Sequence, residues 1–158
     1  MDCMSIDYAL VSSVTALVAV IVGPFVTVWV AKAQIKASVV SANRQQWINR
    51  LRDEIAGFVH QVKHVPSALS AGAISVEQAI AMHGELALRE EVVKLLLNPN
   101  EPRHQDLVKL MSKASNTARK SINRRVGNAK EIDEATDRVV AEAQKILKSE
   151  WERVKRGD

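Results

Sequence analysis

The chain has 158 residues, a formal net charge of +4 and a single cysteine, Cys3. One cysteine excludes an internal disulfide and a Cys-based metal cluster. Aromatic residues make up only 4% of the chain, and it holds only 6 Gly and 4 Pro, so its apolar mass is aliphatic and helix breakers are few. This composition favours long helices over a β-sandwich, which needs a turn every 8–12 residues or so. It predicts an all-α protein with room for one domain and one membrane span.

An apolar segment dominates the N-terminal part of the chain. Residues 8–31 carry no charged side chain. A helix of that length extends about 36 Å and can cross a hydrocarbon core of about 30 Å. A cleaved signal peptide is the alternative, but it has a basic start and an apolar stretch of about 7–15 residues, whereas Asp2 and Asp7 precede this one. The sequence therefore predicts a short outside tail, 1–7, and a retained transmembrane helix, 8–31.

The charges on either side of this segment predict its orientation. No Lys or Arg precedes it, whereas five basic residues follow it before the first acid, Asp53: Lys32, Lys36, Arg44, Arg50 and Arg52. Loops rich in Lys and Arg stay in the cytoplasm. We therefore expect a single-pass protein with its N-terminus outside and its C-terminal domain in the cytoplasm.

The predicted span carries a pattern of small residues and one proline. Small residues at every fourth position allow two helix backbones to approach closely in lipid. This favours a homo-oligomer interface or contact with another membrane protein, although small residues are common enough here for a chance pattern. Pro24 removes a backbone hydrogen bond and predicts a kink, either structural or the hinge of a gate. The predicted interface residues are Thr15, Ala19, Gly23, Thr27 and Ala31.

Residues 32–64 predict a juxtamembrane or stalk helix. It either continues the membrane helix or lies along the lipid headgroups. Its second half has apolar residues at alternating spacings of 3 and 4, which is typical of a coiled-coil seam and predicts self-association. The seam consists of Ile48, Leu51, Ile55, Phe58 and Val62.

Residues 65–158 predict a cytoplasmic helical domain. Pro66 and nearby small polar residues predict a loop over 65–75, and Ser75 with Gln78 forms a capping-box pattern that opens the next helix. Asn100 is suited to capping the helix after that, and Asn128 with Glu131 offers a second capping-box-like start. With the stalk, these helices predict an antiparallel bundle of about four. The expected helices are about 76–97, 103–126 and 129–156. In the first of them the apolar residues at helical spacing are Ala79, Ile80, Leu86, Val93 and Leu97.

Charge is unevenly distributed over this domain. Residues 102–130 hold eight basic residues against one acid, whereas residues 65–101 have a net charge of −3. The default interpretation is two solvated segments that partly neutralise each other. The functional alternatives are contact with anionic lipid headgroups and capture of a phosphorylated ligand. No aromatic residue lies between the bases, which argues against nucleic-acid binding. The candidate contacts are Arg119, Lys120, Arg124 and Arg125.

Catalytic motifs are missing from the sequence. It contains no Gly-rich phosphate loop, no zinc-binding helix signature and no nucleophile elbow. A metal could bridge His60 and His64, which are four positions apart, but no third ligand has an evident spacing, so two exposed side chains are the simpler interpretation. We therefore expect no enzyme activity, no cofactor and no metal.

Two segments resemble motifs of a known group of proteins. Residues 44–52 match the pattern RQxWIxxLR, and residues 95–104 match LLLNPxExxH. Together they resemble a family of uncharacterised small bacterial membrane proteins with one N-terminal span and a cytoplasmic helical domain, over about residues 10–115. The resemblance implies a bacterial inner membrane and the same topology, and it implies no activity. The matching positions are Arg44, Trp47, Arg50, Arg52, Asn98, Glu101 and His104.

These matching residues also have a physical interpretation of their own. A guanidinium of the stalk helix can stack on Trp47 or pair with an acid. Asn98 suits the end of a helix, and Glu101 places negative charge at a helix N-terminus, where the dipole favours it. In an antiparallel bundle an arginine could reach Glu101. We expect these residues to form a structural clasp, with a ligand site as the alternative.

Two functions fit these features. The first is a membrane effector or pore-type module, in which the cytoplasmic domain senses a signal and rearranges kinked, self-associated spans. The second is a membrane-tethered adaptor whose helical domain docks a cytoplasmic protein partner. An enzyme is the third class of function, and a polar pocket within the bundle would support it.

Overall fold

The computed structural model describes residues 3–124 and 128–156, and no strand occurs in these ranges. The predicted all-α fold class is confirmed. The chain divides into an N-terminal unit, Met1–Ala42 with Gly157–Asp158, and a second unit, Asn43–Arg156, which we call the helical unit. The helices are α1 (Cys3–Ser70), α2 (Val76–Leu96), α3 (Pro102–Arg124) and α4 (Ala129–Arg156).

The N-terminal unit contains a segment that is long and apolar enough to cross a membrane. It covers Ser12–Lys32, and none of it is buried. This overlaps most of the predicted span, 8–31. Length and composition alone also fit a signal sequence, because the segment lies near the N-terminus.

The helical unit has a core to which α1, α2, α3 and α4 all contribute. Phe58 of α1, Leu86 of α2, Met111 of α3 and Val139 of α4 are almost completely buried in one cluster. The apolar seam of the stalk, from Ile48 to Val62, is buried to 95% or more at each of its five positions. The prediction that this seam joins two copies is therefore wrong, because the same side chains fill the core of their own chain.

Polar contacts between the helices show how neighbouring helices run. As the residue number rises along α1, the residue number of its contact partner in α2 falls, so the two helices are antiparallel. The pairs are Trp47–Leu96, Glu54–Arg89 and Gln61–Glu85. Helices α1 and α4 are antiparallel by the same criterion, with the ion pairs Arg44–Glu150 and Lys63–Asp133.

The predicted loop over 65–75 is wrong in its first half, because α1 continues to Ser70. Burial of Val65 and Ala68 stabilises the helix beyond Pro66, and the hydroxyl of Ser67 donates to the Lys63 carbonyl of the preceding turn. Gly72, two residues beyond the end of α1, has a φ of 69°. The N–H of Ala73 reaches the Ala68 carbonyl and that of Gly72 reaches Leu69, which is the Schellman pattern.

The other helix ends are set by short polar contacts. The capping box of Ser75 and Gln78 is confirmed. The prediction that Asn100 caps α3 is wrong, because Glu101 is the residue immediately before that helix. The side-chain oxygen of Asn98 accepts a hydrogen bond from the Asn100 N–H. At α4, the Asn128 side-chain amide donates to the Glu131 carboxylate at 2.6 Å. The predicted helix end near residue 126 lies outside the described residues.

Candidate functional site

Five of the seven residues predicted to form a clasp lie in one polar network of the helical unit. The indole N–H of Trp47 donates to the Leu96 carbonyl at 2.7 Å. The Trp47 ring lies 6.5 Å from that of His104, which is only 5% exposed. Nδ1 of His104 accepts the Asn98 N–H at 3.0 Å, and its Nε2 lies 3.4 Å from a Glu101 oxygen. Since Nδ1 is an acceptor, the hydrogen bonding assigns the ring proton to Nε2.

A buried carboxylate extends this network to α4. Glu150 is 6% exposed, and its two oxygens face Arg153 at 2.8 Å and Arg44 at 3.5 Å. Arg153 also lies 3.9 Å from Glu101. The arginine expected beside Glu101 therefore comes from α4 and not from α1. Sequence reasoning missed Glu150 and Arg153, although their spacing of three on a helix is a signal for an ion pair.

The remaining two predicted clasp residues lie apart from the network. Arg50 and Arg52 are exposed, and Arg52 donates to Asn49 of its own helix at 3.3 Å. A carboxylate buried between two guanidiniums is stable as long as both partners stay in place. The network is thus suited to fixing the chain ends of the helical unit, and this geometry favours the structural clasp over the ligand site.

A second polar contact joins α2 to α3. The Ser112 hydroxyl donates to the Glu90 carboxylate, which is 9% exposed. Lys94 lies 3.2 Å from Glu90 and 2.7 Å from Glu91. The hydrogen bond to Glu91, followed by that to Glu90, raises the pKa of Lys94 above its ordinary value. The Lys94 ammonium and the Ser112 hydroxyl are thus the polar partners of the buried Glu90 side chain.

The predicted basic contacts lie on the outer side of α3. Arg119, Lys120 and Arg124 are exposed, and Arg125 lies outside the described residues. Arg119 donates to Asn116 at 3.0 Å. A surface groove of about 700 Å³ runs along this side, lined by Lys109, Lys113, Arg119 and Lys120 among others. The structure thus places four cations and one carboxylate, that of Glu131, around one open groove.

The small residues of the apolar segment present an open surface. A Cβ added at Gly23 would meet no atom within 4 Å, and the Thr27 hydroxyl donates to the Gly23 carbonyl at 2.9 Å. Thr15 and Ala31 are exposed, whereas the side chain of Ala19 is not among those described. Pro24 lies within α1, and its kink stays a prediction.

The two histidines of α1 stack on each other. The rings of His60 and His64 are parallel within 11°, with centroids 5.2 Å apart, and both residues are exposed. Among the described residues no group of three His, Cys, Asp or Glu side chains comes close enough to hold a metal ion.

No protein-family model, curated protein or solved structure matches this chain. Membership of the bacterial family that the two motifs resemble therefore stays a prediction.

Proposed function

We propose that this protein is a membrane-anchored, self-associating helical protein. The observation that carries this proposal is a contrast in burial. The segment Ser12–Lys32 leaves its apolar side chains uncovered, whereas the helical unit buries an aliphatic core of its own. An exposed apolar surface of this size is stable in lipid and not in water. The basic flank of the segment supports a topology with the helical unit in the cytoplasm, beneath a bacterial inner membrane.

The helical unit is proposed to be an antiparallel four-helix bundle that closes within one chain. The core shared by all four helices and the antiparallel contacts of α1 with α2 and α4 support this arrangement. A bundle that satisfies its own apolar faces needs no second copy to fold. Self-association is then left to the span, where Gly23 offers room for another helix.

The role that follows is a membrane effector or pore-type module. The helical unit would receive a signal and rearrange the self-associated spans around Pro24. Expression in bacteria loaded with a potential-sensitive dye tests this role. We expect the wild-type chain to depolarise the membrane, and Gly23→Leu to abolish the effect at equal membrane content. An Ile21→Phe variant adds bulk on the opposite face and is the control. Equal membrane potential in cells with and without the wild-type chain would refute the effector role.

The anchor itself is tested separately. The full chain should stay in the pellet after alkaline carbonate extraction of membranes. A C-terminal tag should resist protease in spheroplasts and be cleaved in inverted vesicles. Release into the carbonate supernatant, or cleavage of the tag in intact spheroplasts, would contradict the proposed topology.

A membrane-tethered adaptor is the second candidate, and the outer face of α2 favours it. Ile80, Leu88 and Leu95 are 60%, 65% and 87% exposed, so Ile80 faces outward although it follows at helical spacing. Gly84 lies between them, and a Cβ added there would meet no atom within 4 Å. Glycine inside a helix costs about 1 kcal/mol relative to alanine. The packing of this chain does not require a glycine at position 84. Close approach of a partner helix would require it, because a larger side chain would keep the two backbones apart.

A photo-crosslinking residue at Leu88 tests the adaptor in cells. An adaptor should form one defined adduct both with its own span and with a foreign span, since the span is then only an anchor. Gly84→Leu should abolish the adduct because leucine fills the space where a partner helix would pack. Ala141→Leu on the exposed side of α4 should leave the adduct unchanged. Loss of the adduct on exchange of the span would exclude a simple adaptor.

A further inference from the structure

The outer side of α3 carries a continuous basic face, made by Lys109, Lys113, Asn116, Lys120 and Arg124. All five residues are exposed. Their spacings of 4, 3, 4 and 4 place them on one side of the helix. At 1.5 Å per residue this basic face is about 22 Å long. The opposite side of α3 is fixed in the core by Leu107, Met111, Ala114 and Ala118, each at most 1% exposed. The basic face is therefore held outward.

Three of the four cations of this face have no acidic partner among the described residues, in contrast to two exposed lysines of α4. On α4, Lys145 and Lys155 each pair with a glutamate three positions earlier, at 2.8 and 3.1 Å. On α3, Lys109 pairs with Asp106 at 3.2 Å. For Lys113, Lys120 and Arg124, no ion pair joins them to a carboxylate of the described ranges. The basic face is thus not a solvated surface of mutually neutralised charges, and it keeps a positive field.

The chemistry of the face restricts what it can bind. It contains no apolar side chain that could enter a bilayer and no aromatic ring on which a base could stack. Lysine ammonium groups and an arginine guanidinium suit phosphate oxygens, which they contact as donors. A row of cations about 22 Å long matches an extended array of phosphates better than one small ligand. About ten residues, 33–42, connect the candidate span to the helical unit, so an anchored chain meets lipid headgroups at high effective concentration.

We propose that the basic face of α3 binds the phosphate headgroups of anionic phospholipids in the membrane that anchors the chain. This inference rests on the proposed membrane anchor. Near an anionic surface each lysine contributes about fivefold to binding, and the contribution falls with ionic strength. Docking of the helical unit on lipid would thereby depend on membrane composition and on salt.

The test uses the full chain in lipid nanodiscs, with Cys3→Ser and a fluorophore on Asn123→Cys, an exposed position of α3 beside the basic face. Discs contain either zwitterionic phosphatidylcholine alone or 30% phosphatidylglycerol, with a trace of a lipid whose headgroup carries a nitroxide quencher. We expect strong quenching in the anionic discs only, reversed by 0.5 M NaCl. Lys113→Gln combined with Lys120→Gln should lower the ratio of docked to undocked chains about 25-fold. Lys145→Gln combined with Lys148→Gln on α4 removes the same charge and should change that ratio less than twofold.

Three results would overturn the inference. Equal quenching in both kinds of disc would show that headgroup charge is irrelevant, and equal effects of the two double variants would show that only net charge matters. Binding of a 20-nucleotide single-stranded DNA to zwitterionic discs, without any effect of phosphatidylglycerol, would assign the face to nucleic acid. Reversal of quenching by 10 mM inorganic phosphate at constant ionic strength would indicate a soluble phosphate ligand.

A failure of the anchor gives a different signature. A chain that does not co-elute with the discs would refute the proposed membrane anchor. Its basic face could then be tested by adding the same labelled chain to phosphatidylcholine and phosphatidylglycerol vesicles from outside.

Discussion

Replacing Trp47 by phenylalanine tests the polar network of the helical unit with a minimal change. Phenylalanine keeps an aromatic ring and removes the indole N–H that donates to the Leu96 carbonyl at 2.7 Å. That carbonyl lies in the last turn of α2, where helix carbonyls lack an internal partner. Loss of a neutral hydrogen bond with a half-buried acceptor left unpaired costs about 1–2 kcal/mol.

Trp151 provides the matched control for this substitution. Its side chain is 43% exposed and lies under the Lys155 ammonium at 5.8 Å. Trp151→Phe should therefore change the free energy of unfolding by less than about 0.5 kcal/mol. For a unit of this size, Trp47→Phe should lower the melting temperature by about 4–8 °C. Thermal and urea unfolding of the full chain in detergent, followed by circular dichroism at 222 nm, measures both variants. Equal shifts would refute the assigned role of the Trp47 hydrogen bond.

Three further predictions concern the stability of the helical unit. Met111→Ala should cost about 2–5 kcal/mol because this side chain is fully buried, whereas Ile80→Ala should change the urea midpoint little. Ser75→Ala should cost about 1 kcal/mol in urea unfolding by removing the capping box of α2; no change would mean that the cap is not needed. The hydrogen bond to Asp133 raises the pKa of Lys63 above its ordinary 10.5, so this stabilisation is present below that pH and is lost as the pH rises through the raised pKa. Wild type should accordingly lose more stability than Lys63→Gln between pH 10 and pH 12, and equal losses would contradict this assignment.

One local signal in the sequence predicted local structure correctly. The capping box at Ser75 depends on two residues three positions apart, and the structure contains it. The prediction of a loop at Pro66 was wrong because a contact distant in sequence decides the structure there. A proline inside a helix is costly, but burial of Val65 and Ala68 on either side outweighs that cost. Tertiary packing of this kind is not visible in a window of a few residues.

The seam of α1 shows a second limit of sequence patterns. A repeat of apolar residues from Ile48 to Val62 predicts that the helix has a partner, and it does not say which one. The partner proved to be α2, α3 and α4 of the same chain. Trp47 and His104 lie in recognisable motifs, and the structure brings their rings within 6.5 Å of each other. The buried centre of the polar network, Glu150, is separated from them by about 50 residues or more in the sequence, and only the fold brings it near Arg44.

The apolar faces of this chain also could not be assigned from spacing alone. Helix α2 has apolar residues on nearly all sides, so Ile80 and Leu86 look equivalent in the sequence. In the structure Leu86 is 1% exposed and Ile80 is 60% exposed. By contrast, α3 separates its apolar and charged residues onto opposite sides, and Leu107 and Met111 of its apolar side are fully buried.

The mass of the full-length protein in nanodiscs tests self-association through the span most directly. We predict a defined oligomer for the wild-type chain and for Ile21→Phe, and a monomer for Gly23→Leu, because leucine fills the space where a second helix would approach. Circular dichroism should show equal helix content in all three. A monomeric wild-type chain, or an oligomer that persists unchanged in Gly23→Leu, would contradict the account.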